Sequence, residues 1–309
     1  MSHDHSHQHT HGSNKKALAI SITIITVYMV VEATGGFLTN SLALISDAGH
    51  MLSDAVSLGI GLLAFTLGEK TANFSKTYGY KRLEILAAVF NGGTLLFISI
   101  YIFFEAYRRF SEPPEVASTG MLIIAIIGLL VNILVAWILM RGNKEDNLNL
   151  KAAFIHVIGD LLGSVGAVAA ALCIMLFGWG WADPLASILV SVLVLISGWR
   201  ITRDAVHILM EGTPQNIEMA EIIRIFEQTD QIEKVHDLHV WSITSGQNAL
   251  SCHAVVNGDL TITESQKILQ QIEHQLNHEG IGHVTIQLES HSSPHEDALL
   301  CQIEAPHKH

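Results

Sequence analysis

Apolar runs long enough to cross a bilayer fill most of the first two thirds of this 309-residue chain, and they constrain its fold more than any other feature. A helix crossing the hydrocarbon core needs about 20 apolar residues. Residues 17–37, 41–67, 83–107, 116–140, 152–177 and 182–199 meet or approach that length, and the last is short enough to run further. The connections between them are brief, which predicts antiparallel helices packed side by side. Beyond residue 206 the composition is that of an ordinary soluble domain, although the whole chain is only 15% charged, against about 25% in soluble domains. The expected organisation is a His-rich tail over 1–16, a six-helix membrane domain over 17–205, a cytosolic α+β domain over 206–291 and a flexible tail over 292–309.

Lysine and arginine orient the spans. Eleven of them, Lys15 to Arg203, fall in the N-terminal tail, the even-numbered connections and just past the last span, whereas Arg108 and Arg109 alone fall on the other side. That bias places both termini, and the polar domain with them, in the cytosol. The formal net charge of −12 leaves no basic stripe to neutralise phosphates, so nucleic acid is not an expected partner. Cys173, Cys252 and Cys301 lie far apart with no C-x-x-C spacing, so no disulfide framework is expected. The N-terminus is His-rich where a signal peptide would have a basic region and a cleavage site, so no removable leader is expected.

Ionisable residues within a span are costly and mark pathways or sites. They are concentrated here in two copies of one pattern, His50-x-x-x-Asp54 in the second span and His156-x-x-x-Asp160 in the fifth. Residues four apart share one helix face, and the two spans run in opposite directions. His50 is thus expected level with Asp160, and Asp54 level with His156. Two imidazoles and two carboxylates make a four-ligand shell suited to tetrahedral zinc, and also to cadmium or cobalt, more than to magnesium or manganese. Gly49, Gly59 and Gly61 on the second span and Gly159, Gly163 and Gly166 on the fifth would let the helices approach. Asp47 is expected along an exit path, with Glu32, Asn91 and Asn132 in interhelical hydrogen bonds.

With neutral histidines and ionised aspartates this shell carries a charge of −2 in a low-dielectric layer, which Zn²⁺ neutralises. Protons compete for the same atoms, because ligands must be deprotonated to hold metal. A carrier exposing such a shell to each side in turn would exchange zinc for protons. An intramembrane zinc hydrolase is the main rival reading; it would leave a position open for water, and the chain lacks H-E-x-x-H. A metal sensor is the second rival, and it would need a downstream effector domain.

The polar domain reads helix (217–228), strand (235–244), strand (249–256), helix (263–278), strand (284–290), with two helices covering one sheet face as in metallochaperone-like, ferredoxin-like folds. His236, His239, His253, His283 and Glu289 recur on it and suggest cytosolic zinc sites. His283 and Glu289 share a face of the third strand by the two-residue period. The alternating His3, His5, His7, His9 and His11 read as a weak metal-collecting arm.

These segments, in order, resemble the cation diffusion facilitator family, in particular its bacterial zinc exporters of the ZitB and CzcD type. The resemblance rests on residues 41–54, 78–84 (Tyr-Gly-Tyr-Lys-Arg-Leu-Glu), 156–164, 182–184, 211–214, 236–241 (His-Asp-Leu-His-Val-Trp) and 285–289. It implies a homodimer in a bacterial inner membrane, alternating access and zinc–proton antiport. It further implies that His50, Asp54, His156 and Asp160 are the transport ligands, and that His236, His253 and Glu289 stand at cytosolic zinc-binding positions. Gln287 stands where some relatives have histidine, which puts a binuclear cytosolic site in question.

Overall fold

The computed structural model describes residues 7–52, 55, 72–112, 114–140, 148–256, 258, 260–290 and 299–300. The chain divides into two compact units, Met1–Leu62 with Ala88–Thr202, and Leu63–Ala87 with Arg203–His309. In chain order the helices of the apolar part are α1 (His7–Thr39), α2 (Leu42–Leu52), α3 (Leu83–Ser111), α4 (Ser118–Met140), α5 (Leu148–Phe177) and α6 (Ala182–Leu209). Among the described residues four stretches are long and apolar enough to cross a membrane: Leu83–Ser111, Ser118–Ile138, Asp160–Phe177 and Ala182–Leu209. Thr23–Thr39 and Leu42–Leu52 are shorter apolar helices. The rest of the second expected span, residues 53–54 and 56–67, lies outside the described residues.

Several helices outrun their apolar segments. α1 begins ten residues before position 17, and α6 ends ten residues after position 199. Hydropathy marks the stretch that avoids water, whereas the backbone ladder continues through polar residues until something breaks it. The side chains left outside are telling: Phe90, Phe97, Phe104 and Tyr107 project from α3 and are each about 70% exposed or more. An apolar face of that size on a protein surface marks a lipid or protein contact.

At one end of the first unit a buried polar network fixes how α2 starts. Asn40 turns the chain from α1 into α2 with a positive φ of 56°, a conformation asparagine tolerates better than most residues. Arg109 of α3 donates to the Asn40 carbonyl at 2.7 Å, to Asn40 Oδ1 at 3.0 Å and to Glu105 at 3.0 Å. Asp183, in the first turn of α6 and wholly buried, accepts from Ser41 Oγ (2.6 Å) and from the backbone N–H groups of Leu42 (2.8 Å) and Ala43 (3.1 Å). Those N–H groups open α2 and have no partner within the helix, so a carboxylate from a different helix caps it. α3 and α6 meet through glycine: a Cβ on Gly92 would lie 3.0 Å from the Gly198 carbonyl, and one on Gly198 would lie 2.8 Å from Leu95 Cβ.

The second unit is built on a three-stranded sheet in the order β1-β2-β3, with β1 (Ile232–Thr244) antiparallel to β2 (Gln247–Val256) and β3 (Ile281–Glu289) parallel to β2. Helices α7 (Met219–Glu227) and α8 (Ile262–His278) complete the expected helix–strand–strand–helix–strand order. Ile222 and Phe226 of α7 and Ile272 and Leu276 of α8 pack with Leu238, Val240, Leu250, Cys252 and Ile281 in one core. The helices therefore cover one face of the sheet. The strands start two or three residues earlier than their alternation suggested, because edge positions such as Ile232 pair in the ladder without being fully buried.

Candidate functional site

Two of the four expected membrane ligands lie in described positions, and they meet. His50 on α2 places Nε2 3.7 Å from Oδ1 of Asp160 on α5, with the Asp160 side chain 1% exposed. Asp47, one turn before His50, is also buried, and a Cβ on Gly163 of α5 would sit 3.1 Å from its Oδ1. Moving three residues forward on α2, from 47 to 50, thus matches moving three backward on α5, from 163 to 160. That is the antiparallel register the repeated pattern required. Asp54 lies outside the described residues. His156 lies on α5, one turn before Asp160, but its side chain is outside the described set.

The surrounding residues sort by what they touch. Glu32 of α1 is buried beside this region and takes the Tyr28 hydroxyl at 3.0 Å, and that hydroxyl also lies 3.1 Å from the Ile124 carbonyl of α4. Asn132 donates to Ser164 Oγ at 3.0 Å and so ties α4 to α5, the interhelical role expected of it. Gly163 is a true close approach. Gly166 is not, since a Cβ there meets nothing within 4 Å, and at Gly49 it meets only Ile98 at an ordinary 3.5 Å. Gly59 and Gly61 lie outside the described residues.

A second cluster forms on the sheet face opposite α7 and α8. His236 of β1 pairs directly with His253 of β2, and Glu289 closes the set from β3. His253 Nδ1 lies 2.7 Å from Glu289 Oε1, and His236 Nε2 lies 3.2 Å from Glu289 Oε2. All three donors fall within 4.8 Å of one another, with His236 and Glu289 buried. Two imidazoles and a carboxylate aimed at one point fit a zinc-like ion by donor chemistry. Gln287 donates to Glu289 Oε1 at 2.8 Å, so its amide orients the carboxylate where a histidine would add a ligand.

His283 does not join this cluster. It shares the face, as the period of two implied, but it pairs with Ala249 at the other end of the strand. At about 3.3 Å per residue the six positions to Glu289 span roughly 20 Å. Its ring packs edge-on to Tyr78 at 5.7 Å instead. Asp237 was missed: it stands beside His253, and its signal was a break in parity, Val235 being odd and Leu238 even in a strand meant to alternate.

Sequence comparison places these sites in context. Residues 18–210 match a family described as the cation efflux transmembrane domain, and residues 214–291 match one described as the cation efflux protein cytoplasmic domain. The "Cadmium, cobalt and zinc/H(+)-K(+) antiporter" of Bacillus subtilis (strain 168) is 64% identical over 280 residues, 90% of either chain. The zinc transporter ZitB of Yersinia pestis is 44% identical over 268 residues, covering 86% of this chain and 85% of the relative. The metal cation efflux system protein CzcD of Cupriavidus metallidurans is 39% identical over 263 residues, covering 85% and 82%. Two family matches in sequence order, over residues 18–210 and 214–291, establish that the chain belongs to the cation diffusion facilitator family of multi-pass membrane transporters, in its ZitB and CzcD branch.

Proposed function

We propose that the chain exports Zn²⁺ from the cytosol in exchange for protons, through a site made of His50, Asp54, His156 and Asp160 and exposed alternately to the two sides of the membrane. The observation that carries this reading is the 3.7 Å approach of His50 to Asp160 between buried, oppositely running helices. The register of α2 against α5 supports the other two ligands, because continuing it pairs positions 54 and 156. The names of the relatives support a divalent metal cargo, with cadmium and cobalt as further substrates.

The chemistry follows from charge. Two aspartates beside two neutral imidazoles carry −2 when the cargo leaves, and a low-dielectric setting makes that state costly. Zn²⁺ cancels it from the cytosolic side. Protons cancel it from the outer side, because histidine titrates near neutral pH and a protonated imidazole has no lone pair for metal. Glu32, Asp47 and the Tyr28 hydroxyl shape the space beside the ligands. In the same reading six helices cross a bacterial inner membrane with both termini cytosolic. The sheet domain, ferredoxin-like in its layering, joins two copies into a homodimer and holds a regulatory or structural zinc at His236, His253 and Glu289.

Purified protein in liposomes tests this with a zinc dye inside and a proton-sensitive dye in parallel. The unaltered chain is expected to show saturable zinc entry with opposite proton movement. Asp160→Ala is expected to lose both while remaining folded and dimeric. An imposed potassium gradient is the control arm, because the Bacillus subtilis relative's name includes K⁺. Zinc flux that leaves the proton dye unchanged would overturn the antiport, and unchanged flux in Asp160→Ala would overturn the site.

A further inference from the structure

We propose that Asp237 is the outer carboxylate of the sheet-domain metal site, holding His253 in the ring form that offers Nδ1 to the metal. This rests on the reading of His236, His253 and Glu289 as metal ligands.

The backbone comes first. Between His236 and His239, β1 advances three residues while β2 advances two, so β1 carries a bulge there. Asp237 occupies it with φ 52°, a left-handed conformation that aspartate and asparagine adopt more readily than other side-chain-bearing residues. The bulge resets the alternation: His236 faces the metal cluster, whereas Leu238 enters the core with an exposure of 1%. Without it His236 and Leu238 would share a face, and one of them would be misplaced.

The same conformation aims the carboxylate. Asp237 Oδ2 lies 3.7 Å from His253 Nε2, and Asp237 Oδ1 lies 2.9 Å from His239 Nε2. His253 therefore stands between two carboxylates, with Glu289 2.7 Å from its Nδ1. His253 would offer Nδ1, on the Glu289 side, to a metal at the cluster, and the ring's one proton would then sit on Nε2, the nitrogen that faces Asp237. A carboxylate closing on that nitrogen from 3.7 Å to hydrogen-bond distance would fix ring orientation and tautomer and raise the basicity of the ligand nitrogen. His239, 44% exposed, holds the second oxygen of Asp237 and keeps the carboxylate from swinging into solvent. The chain of contacts runs Glu289, His253, Asp237, His239 across three strands, and only its inner end belongs to the ligand set.

The bulge also supplies the control. Asparagine and glycine both accept a left-handed backbone, so Asp237→Asn and Asp237→Gly remove the charge while keeping the turn. Alanine keeps neither. The full-length chain in lipid nanodiscs, carrying Asp160→Ala to silence the membrane site, is titrated with Zn²⁺ against a chromogenic chelator. The expected result is a loss in zinc affinity of about tenfold for both Asp237→Asn and Asp237→Gly, within the range for outer carboxylates. His253→Ala is expected to lose more. In ¹⁵N-histidine spectra of the zinc-loaded protein, the His253 Nε2 proton, assigned by its absence in His253→Ala, is expected to shift upfield and exchange faster in Asp237→Asn. Parent affinity in the Asn and Gly variants, with or without a loss in Asp237→Ala, would overturn the proposal and leave Asp237 a bulge residue. Parent affinity in His253→Ala would instead overturn the metal site itself.

Discussion

Gly163 and Gly166 lie one turn apart on α5, yet a side chain added at each meets different surroundings. At Gly163 a Cβ falls 3.1 Å from Asp47, which is buried and has little room to yield; at Gly166 it falls in open space. Gly163→Ala is therefore expected to push α2 from α5 at a cost of about 1 kcal/mol, roughly a fivefold loss of zinc affinity at the membrane site. Gly166→Ala is expected to stay within about twofold of the parent, and equal losses in a zinc-binding titration would refute the distinction. From sequence the two glycines were equivalent, because composition shows a small residue without showing what stands opposite. Cys252 makes a similar point. Burial, then the nearby charge of Asp237, pushes its thiol up to about 12, so it stays protonated and belongs to the core rather than to the metal cluster. Iodoacetamide near neutral pH is expected to leave Cys252 unlabelled in the folded chain and to label it after denaturation, read by mass spectrometry.

At the scale of an element, the start of α2 depends on a residue of α6. Asp183 satisfies two backbone N–H groups and the Ser41 hydroxyl in a buried setting with Arg109 3.8 Å away. Asp183→Ala leaves the Leu42 and Ala43 N–H groups and the Ser41 hydroxyl buried without this acceptor, and is expected to destabilise the protein by about 3 kcal/mol in thermal unfolding. Asp183→Asn, which keeps an acceptor, is expected to lose less. The segment Ala182-Asp183-Pro184 was legible as a motif, but its role was not, since the groups it serves are 140 residues away in sequence. Thr261 and Glu264 form a reciprocal capping box at the start of α8, with Glu264 Oε2 taking the Thr261 N–H at 2.9 Å. The Thr261 hydroxyl and backbone hold the Glu264 carboxyl below its usual value. A lowered value means the box contributes at and above the ordinary carboxylate range and is lost as pH falls through the folded value. The difference in unfolding midpoint between the parent and Glu264→Gln should accordingly be largest near neutrality and vanish in acid; a constant difference would contradict this account.

On the scale of the whole molecule, both proposed sites draw side chains from elements far apart in sequence, and this set how much could be read in advance. The approach of His50 to Asp160 was legible because both sit in a repeated pattern on spans whose opposite directions follow from counting. The sheet site was half legible. A period of two told which face His283 and Glu289 share, but the strand order and register that bring His236, His253 and Glu289 together come from tertiary pairing. The same pairing predicts a linkage. A metal held at the proposed sheet site by one residue from each strand would fasten the sheet, so zinc at a hundredfold excess over its dissociation constant should add about 2.7 kcal/mol to unfolding. Glu289→Ala or a chelator should remove that increment, as read by the unfolding temperature with and without Zn²⁺.

The opposed directions of α2 and α5 also limit how they can move. They behave as two rulers laid head to tail, since a slip of one residue, about 1.5 Å along the axis, throws every facing mark out of step at once. A rock about the level of His50 and Asp160 keeps that mark aligned while one end opens and the other shuts. A cation bound at the proposed site would survive the second motion and not the first, which on that proposal favours tilting of the pair over sliding.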